Sequence, residues 1–188
     1  MPIFARMQFL ENIKTKIGKY LLQGSFSKRK SMSSIPRFDD LKDIAIIYPA
    51  DNKEDENDAN KLALHFREQG KKVMMLGFVN QKQLSHKYKF HINHEYFWRE
   101  SLDTFLLPKK DKIAGFIQQP FDLLINLYPE FNLQLAAVSS YSKATTRIGA
   151  HFAESESYNE ILIEGKFKNL FELGLQMEHY LKIVNSKS

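Results

Sequence analysis

Asn126 stands near the end of an apolar run, Phe121-Asp-Leu-Leu-Ile-Asn-Leu127. An unpaired amide in such surroundings costs about 1–3 kcal/mol, so this side chain must find partners. Tyr128 and Glu130 follow it, and Asp51 and Asn80 stand just after two other apolar runs. If those runs are parallel strands, all five residues map to the edge where open α/β sheets bind their ligands. They are candidates for holding a small ligand, and Asp51, Asn126 and Glu130 for the chemistry of a minimal transferase-like enzyme. A bland reading stands beside this one: Asn126 simply bonds a neighbouring loop.

Three other groups have suggestive spacing. Asp51, Glu54, Asp55, Glu56 and Asp58 crowd one polar stretch and could hold a divalent cation, but carboxylates also concentrate at ordinary helix starts, where the dipole favours them. His91-x-x-His94 with Glu95 has the residue types of metal ligands and lacks the second ligand pair such sites need. Ser140-Tyr-Ser-Lys143 matches S-x-x-K, yet its companion elements are missing and Tyr141 and Lys143 do not share a helix face. No metal site, catalytic set or cofactor is assigned from these patterns.

The elements that must position these residues are readable in outline. Ile44-Ala-Ile-Ile-Tyr48 and Val73-Met-Met-Leu-Gly-Phe78 are continuous apolar runs, as in strands covered on both faces. Between them Ala59, Leu62, Ala63 and Phe66 have helical spacing and Gly70 is placed as a C′ glycine, which makes a right-handed βαβ crossover. A dinucleotide fold would place G-x-G-x-x-G after the first strand. Here Pro49 to Asp58 has no glycine and five acids, which argues against NAD, FAD or nucleoside triphosphate phosphates at that turn.

Further on, the alternation of Tyr88, Phe90 and Ile92 predicts a half-buried strand with the aromatic knot Tyr96-Phe-Trp98 behind it. Ile113, Phe116 and Ile117 predict a short helix. Phe121 to Leu127 reads as a strand, Leu133 to Ser142 as a helix, Thr145 to Ile148 as a strand with Gly149 as a turn, and Glu160 to Ile163 as another strand. Phe167, Leu170, Phe171, Gly174, Met177, Leu181 and Val184 mark a closing amphipathic helix, expected to form an outer layer with the N-terminal helix.

The 188 residues suit one compact unit, and 43% hydrophobic with 26% charged residues is an ordinary globular balance. With no Cys, disulfides, thiolate metal sites and cysteine nucleophiles are excluded. The chain has no apolar run long enough for a transmembrane segment, and charged residues stand where a signal peptide needs an apolar core, so a cytoplasmic location is expected.

The net charge of +5 is concentrated: residues 1–30 have seven Lys or Arg against one acid, Glu11. Because the excess lies in this arm and not in a basic stripe along the domain, nucleic acid is not the expected partner. In the arm Phe4, Met7, Leu10, Ile13, Ile17, Tyr20 and Leu21 recur every three or four residues, the period of an amphipathic helix. Its apolar stripe is expected to pack on its own domain, a partner protein or a second copy. Peripheral contact with an anionic surface is the alternative. Lys28-Arg29-Lys30 and Ser31, Ser33 and Ser34 read as a linker. The expected division is thus an arm over residues 1–37 and an α/β domain over 38–188.

Pro120-Phe-Asp-Leu-Leu-Ile-Asn-Leu127, Ser142-Lys-Ala144 with Arg147-Ile-Gly149, and the ending His179-Tyr-Leu-Lys-Ile-Val-Asn185 resemble a family of small bacterial proteins of unknown function, over most of residues 40–185. More remotely, the order of that strand, a helix and Arg-Ile-Gly is similar to the end of the N-terminal, acceptor-side domain of heptosyltransferase-type glycosyltransferases. Those enzymes have Gly-Asp after the first strand and a second domain for the sugar nucleotide. Here Pro49-Ala50-Asp51 replaces that pair and the length leaves no room for the second domain, so the resemblance implies a fold and not an activity.

The expected architecture is a single three-layer, Rossmann-like α/β domain with a mainly parallel sheet of five or six strands and flanking N- and C-terminal amphipathic helices. The expected function is non-catalytic binding of a partner protein or small ligand at the C-terminal edge of the sheet. A minimal glycosyltransferase-like enzyme and a tether acting through the basic arm are the alternatives.

Overall fold

The computed structural model describes residues 3–26, 35–85, 88 and 92–184, with side chains left out at 3–7, 25 and 26. The expected linker at residues 28–34 and the histidine His91 lie outside the described residues. Six strands form one parallel sheet: β1 (Asp43–Pro49), β2 (Lys72–Val79), β3 (His94–Trp98), β4 (Leu123–Asn126), β5 (Thr146–Ala150) and β6 (Ile161–Ile163). Their order, β3-β2-β1-β4-β5-β6, is the doubly wound Rossmann arrangement, with its switch point between β1 and β4.

Burial on both faces explains the unbroken apolar runs. Residues of β1 alternate between two cores, with Ile44, Ile46 and Tyr48 on one side and Ala45 and Ile47 on the other. The first core lies under α2 (Lys53–Glu68) and α5 (Leu170–Val184), and the second under α3 (Ala114–Ile117) and α4 (Leu133–Tyr141). The N-terminal helix α1 (Ile3–Phe26) packs against α4, whereas α5 packs against α2. The two terminal helices therefore lie on opposite sides of the sheet, and the expected shared layer is corrected.

The acid-rich stretch after β1 is the start of α2. The Asn52 side chain caps the helix by accepting the Asp55 amide N–H at 2.8 Å, and Glu54, Asp55 and Glu56 occupy its first turn. Gly70, at φ +77°, ends it in the left-handed conformation expected of C′.

Two local expectations are corrected. The strand found in the middle of the chain is β3, the aromatic knot itself; Tyr88 and Ile92 stand outside any strand, and residues 89–91 lie outside the described residues. Tyr88 is buried and gives its hydroxyl to the Ala50 carbonyl, and Ile92 is 95% exposed in a turn. Gly149 is not a turn but a residue of β5, where a Cβ would lie 2.8 Å from the Asn159 side chain.

Candidate functional site

At the C-terminal edge of the sheet the nominated residues divide into two groups. Asp51 and Asn80 meet at the exposed ends of β1 and β2. The Asn80 amide N–H donates to Asp51 Oδ1 at 2.6 Å, and Asn80 Oδ1 accepts from Arg99 Nε at 2.7 Å. Arg99, just past β3, also donates to Glu11 Oε1 on α1 at 3.0 Å. This row ties three strand ends to the N-terminal helix.

Asn126 and Tyr128 are enclosed on the α4 side. Asn126 is 1% exposed; its Nδ2 donates to Ser139 Oγ at 3.0 Å and to Asn159 Oδ1 at 2.5 Å, while its Oδ1 is without a partner. Burial, and then the neighbouring Tyr158, keeps the Tyr128 hydroxyl protonated well above the usual tyrosine range. Glu130 is exposed. Among the described residues, no hydrogen bond connects the Asp51 pair to Asn126, Tyr128 or Glu130.

The space these residues would frame is bordered by α1. Its docking face is small and polar apart from Leu22: besides Glu11 with Arg99, Lys19 Nζ pairs with Glu154 at 3.0 Å and lies 4.0 Å from the centre of the Phe131 ring. Gly18 sits so close that a Cβ would meet the Phe105 carbonyl at 2.5 Å and a Leu133 methyl at 2.9 Å. Leu22 is 2% exposed and belongs to the core on that side. The helix thus lies against the segments that leave the C-terminal ends of β3, β4 and β5. A hollow of about 30 Å³ lined by Lys19, Leu22, Phe131, Glu154 and Tyr158 is found there. A small-molecule site usually takes about 300–1,000 Å³.

The docking corrects one part of the expectation for the stripe, that it packs on its own domain; the side chains of Phe4 and Met7 lie outside the described residues. Phe9, Leu10, Ile13, Ile17, Tyr20 and Leu21 all point outward, from 38% exposed at Ile13 to 74% at Tyr20. The apolar side of α1 is its solvent side.

A second polar cluster, which the sequence does not single out, lies on the α2 side. Tyr96 donates to Glu56 Oε1 at 2.5 Å, Tyr48 and Tyr96 are hydrogen-bonded, and Tyr48 Oη lies 2.7 Å from His94 Nε2. With its own proton directed at Glu56, Tyr96 accepts from Tyr48, which leaves Tyr48 to accept from His94 and requires the Nε2–H tautomer there. Every proton in the row points towards the carboxylate. Desolvation, the largest cause, raises the pKa of both Tyr48 and Tyr96 far above the ordinary value, so neither is a base or nucleophile near neutrality. Tyr48 at the end of a buried strand and Tyr96 inside the aromatic knot were the sequence signals for this row.

Two larger open hollows, about 430 and 510 Å³, share Arg67, Ile92 and Asn93; the first reaches the strand beginnings at Asp43 and Lys72, and the second includes His94. Two of the three cations around the first are already engaged: Lys71 Nζ donates to the carbonyls of Phe38, Asp39 and Leu41, and Arg67 to that of Val73, while Lys72 also lines the hollow. Among the described residues no group of three or more His, Asp or Glu could hold a metal ion. No helix of the described residues is long and apolar enough to cross a membrane.

The residues that carry the family resemblance have structural duties. Asp122 Oδ2 accepts the amide N–H groups of Lys42 and Asp43. Arg147 is buried and donates to the Ser139 and Ser142 carbonyls at the end of α4. Burial lowers its pKa, and the neighbouring Glu160 opposes that shift.

No curated protein and no solved structure matches the chain. The sequence pattern of a family of unknown function, DUF6913, matches residues 14–184, from the middle of α1 to the end of α5, and the chain belongs to that family.

Proposed function

We propose that this protein is a non-catalytic binding module that works through the C-terminal edge of its sheet, with α1 as the element it presents. One observation carries the reading: α1 occupies the segments beyond β3, β4 and β5 with its polar face, leaving about 30 Å³ behind it and an apolar face in front. A helix held in place through its polar side has its apolar side available for something else.

A minimal glycosyltransferase-like enzyme built on Asp51, Asn126 and Glu130 has less support. It needs those side chains around one space, and Asp51 is engaged with Asn80 while Asn126 is enclosed beneath α4. Thermal denaturation against nucleotides, sugar nucleotides and divalent ions separates the two, because a ligand that prefers the native state raises the melting temperature. No shift across that panel is expected. A concentration-dependent rise with a sugar nucleotide would overturn the proposal in favour of the transferase.

A further inference from the structure

We infer that the outward face of α1 is a docking surface for an anionic lipid bilayer, so that the C-terminal edge of the sheet faces the membrane; this rests on α1 being the element the module presents. At 100° per residue, the six exposed apolar side chains from Phe9 to Leu21 fall within about a third of the helix circumference. The same steps place Lys14 on one border of that arc and Lys16 on the other.

An apolar arc between lysines, with Phe9 and Tyr20 among its residues, is the pattern of a helix lying in a membrane interface, where long basic side chains reach the headgroups as the stripe enters the acyl boundary. Lys19, the remaining cation between residues 8 and 24, is spent on Glu154 and Phe131 inside the molecule. Lys14 and Lys16 remain for an external anion.

Charge also decides against a second copy as the occupant. Two such faces packed together would bring these lysines against their own equivalents, whereas acidic headgroups complement them. The docked face keeps the helix in register with the domain: Glu11 on Arg99, Gly18 against Phe105 and Lys19 on Glu154 leave the stripe pointing away from the sheet.

The test is co-sedimentation of the full chain with phosphatidylglycerol–phosphatidylcholine vesicles and with phosphatidylcholine alone. Binding to the acidic vesicles is expected, falling as salt rises and weak on the neutral ones. Ile13→Asp with Ile17→Asp, both at exposed positions, should lower that binding at least roughly tenfold with the melting temperature retained. Lys14→Glu with Lys16→Glu should remove the salt dependence while leaving the apolar stripe intact.

Absence of sedimentation with acidic vesicles at low salt overturns the inference. A concentration-dependent dimer dissolved by the double Asp variant, without vesicle binding, overturns it in favour of self-association and leaves α1 as the working surface. Stabilisation by a sugar nucleotide would instead remove the underlying reading.

Discussion

Gly18 of α1 lies against the main chain of Phe105 so closely that a single added methyl would sit 2.5 Å from the Phe105 carbonyl oxygen. Backbone cannot yield as a flexible side chain does, so Gly18→Ala must push the helix away from its seat. The expected cost is about 1–3 kcal/mol, the range of overpacked sites. Limited proteolysis should show faster cleavage within residues 3–26 while the sheet stays protected. Protection of α1 equal to that of the unaltered chain would refute the docking described.

Tyr48→Phe removes the middle of the hydrogen-bonded row and leaves the His94 Nε2–H and the Tyr96 oxygen without that partner in a buried place. A loss of about 1–3 kcal/mol is expected in urea unfolding. A loss below about 0.5 kcal/mol would show that the row carries little of the stability.

Asn126→Ala distinguishes structure from binding at the most enclosed of the nominated residues. It strips Ser139 and Asn159 of a shared donor, and a destabilisation of about 1–3 kcal/mol is expected. A melting temperature unchanged by the substitution would count against a structural duty for this amide.

Glu178 sets an acid limit on stability. Burial, the largest influence, raises its pKa, but hydrogen bonds from Lys182, Gln69 and His65 outweigh it and hold the group below the ordinary 4.5. A carboxylate depressed in the folded state contributes stability that is fully present above its unfolded pKa and lost as pH falls through the folded one. Unfolding free energy should therefore decline below about pH 4.5, and Glu178→Gln should flatten that decline. A Gln variant with the original acid profile would assign the decline to other groups.

The parts of the fold legible in the sequence are those fixed by local pattern. The continuous runs of β1, β2 and β4 have the pattern of strands covered twice, and Gly70 marks the end of α2, whereas its start at the Asn52 cap falls inside a stretch that reads only as polar. What was hidden depends on contacts distant in the chain. Gly149 resembles a turn residue until Asn159 is seen to need its missing side chain. The Tyr88 to Ile92 alternation outweighed β3, because a strand with both faces largely covered has no alternation to offer. Periodicity located the stripe on α1, but it contains nothing about which face meets the domain. The choice was made by Gly18, Lys19 and Glu11 finding Phe105, Glu154 and Arg99.

The seam between β1 and β4 joins segments far apart in the chain, with the Asp122 carboxylate bound to an amide 80 residues earlier. The first three strands need only short crossovers, whereas this pairing must close a long loop before any contact rewards it. Loop-closure entropy grows only logarithmically with length, so the separation weighs more on the speed of assembly than on final stability. Asp122 thus fastens the seam at which distant segments of the polypeptide meet.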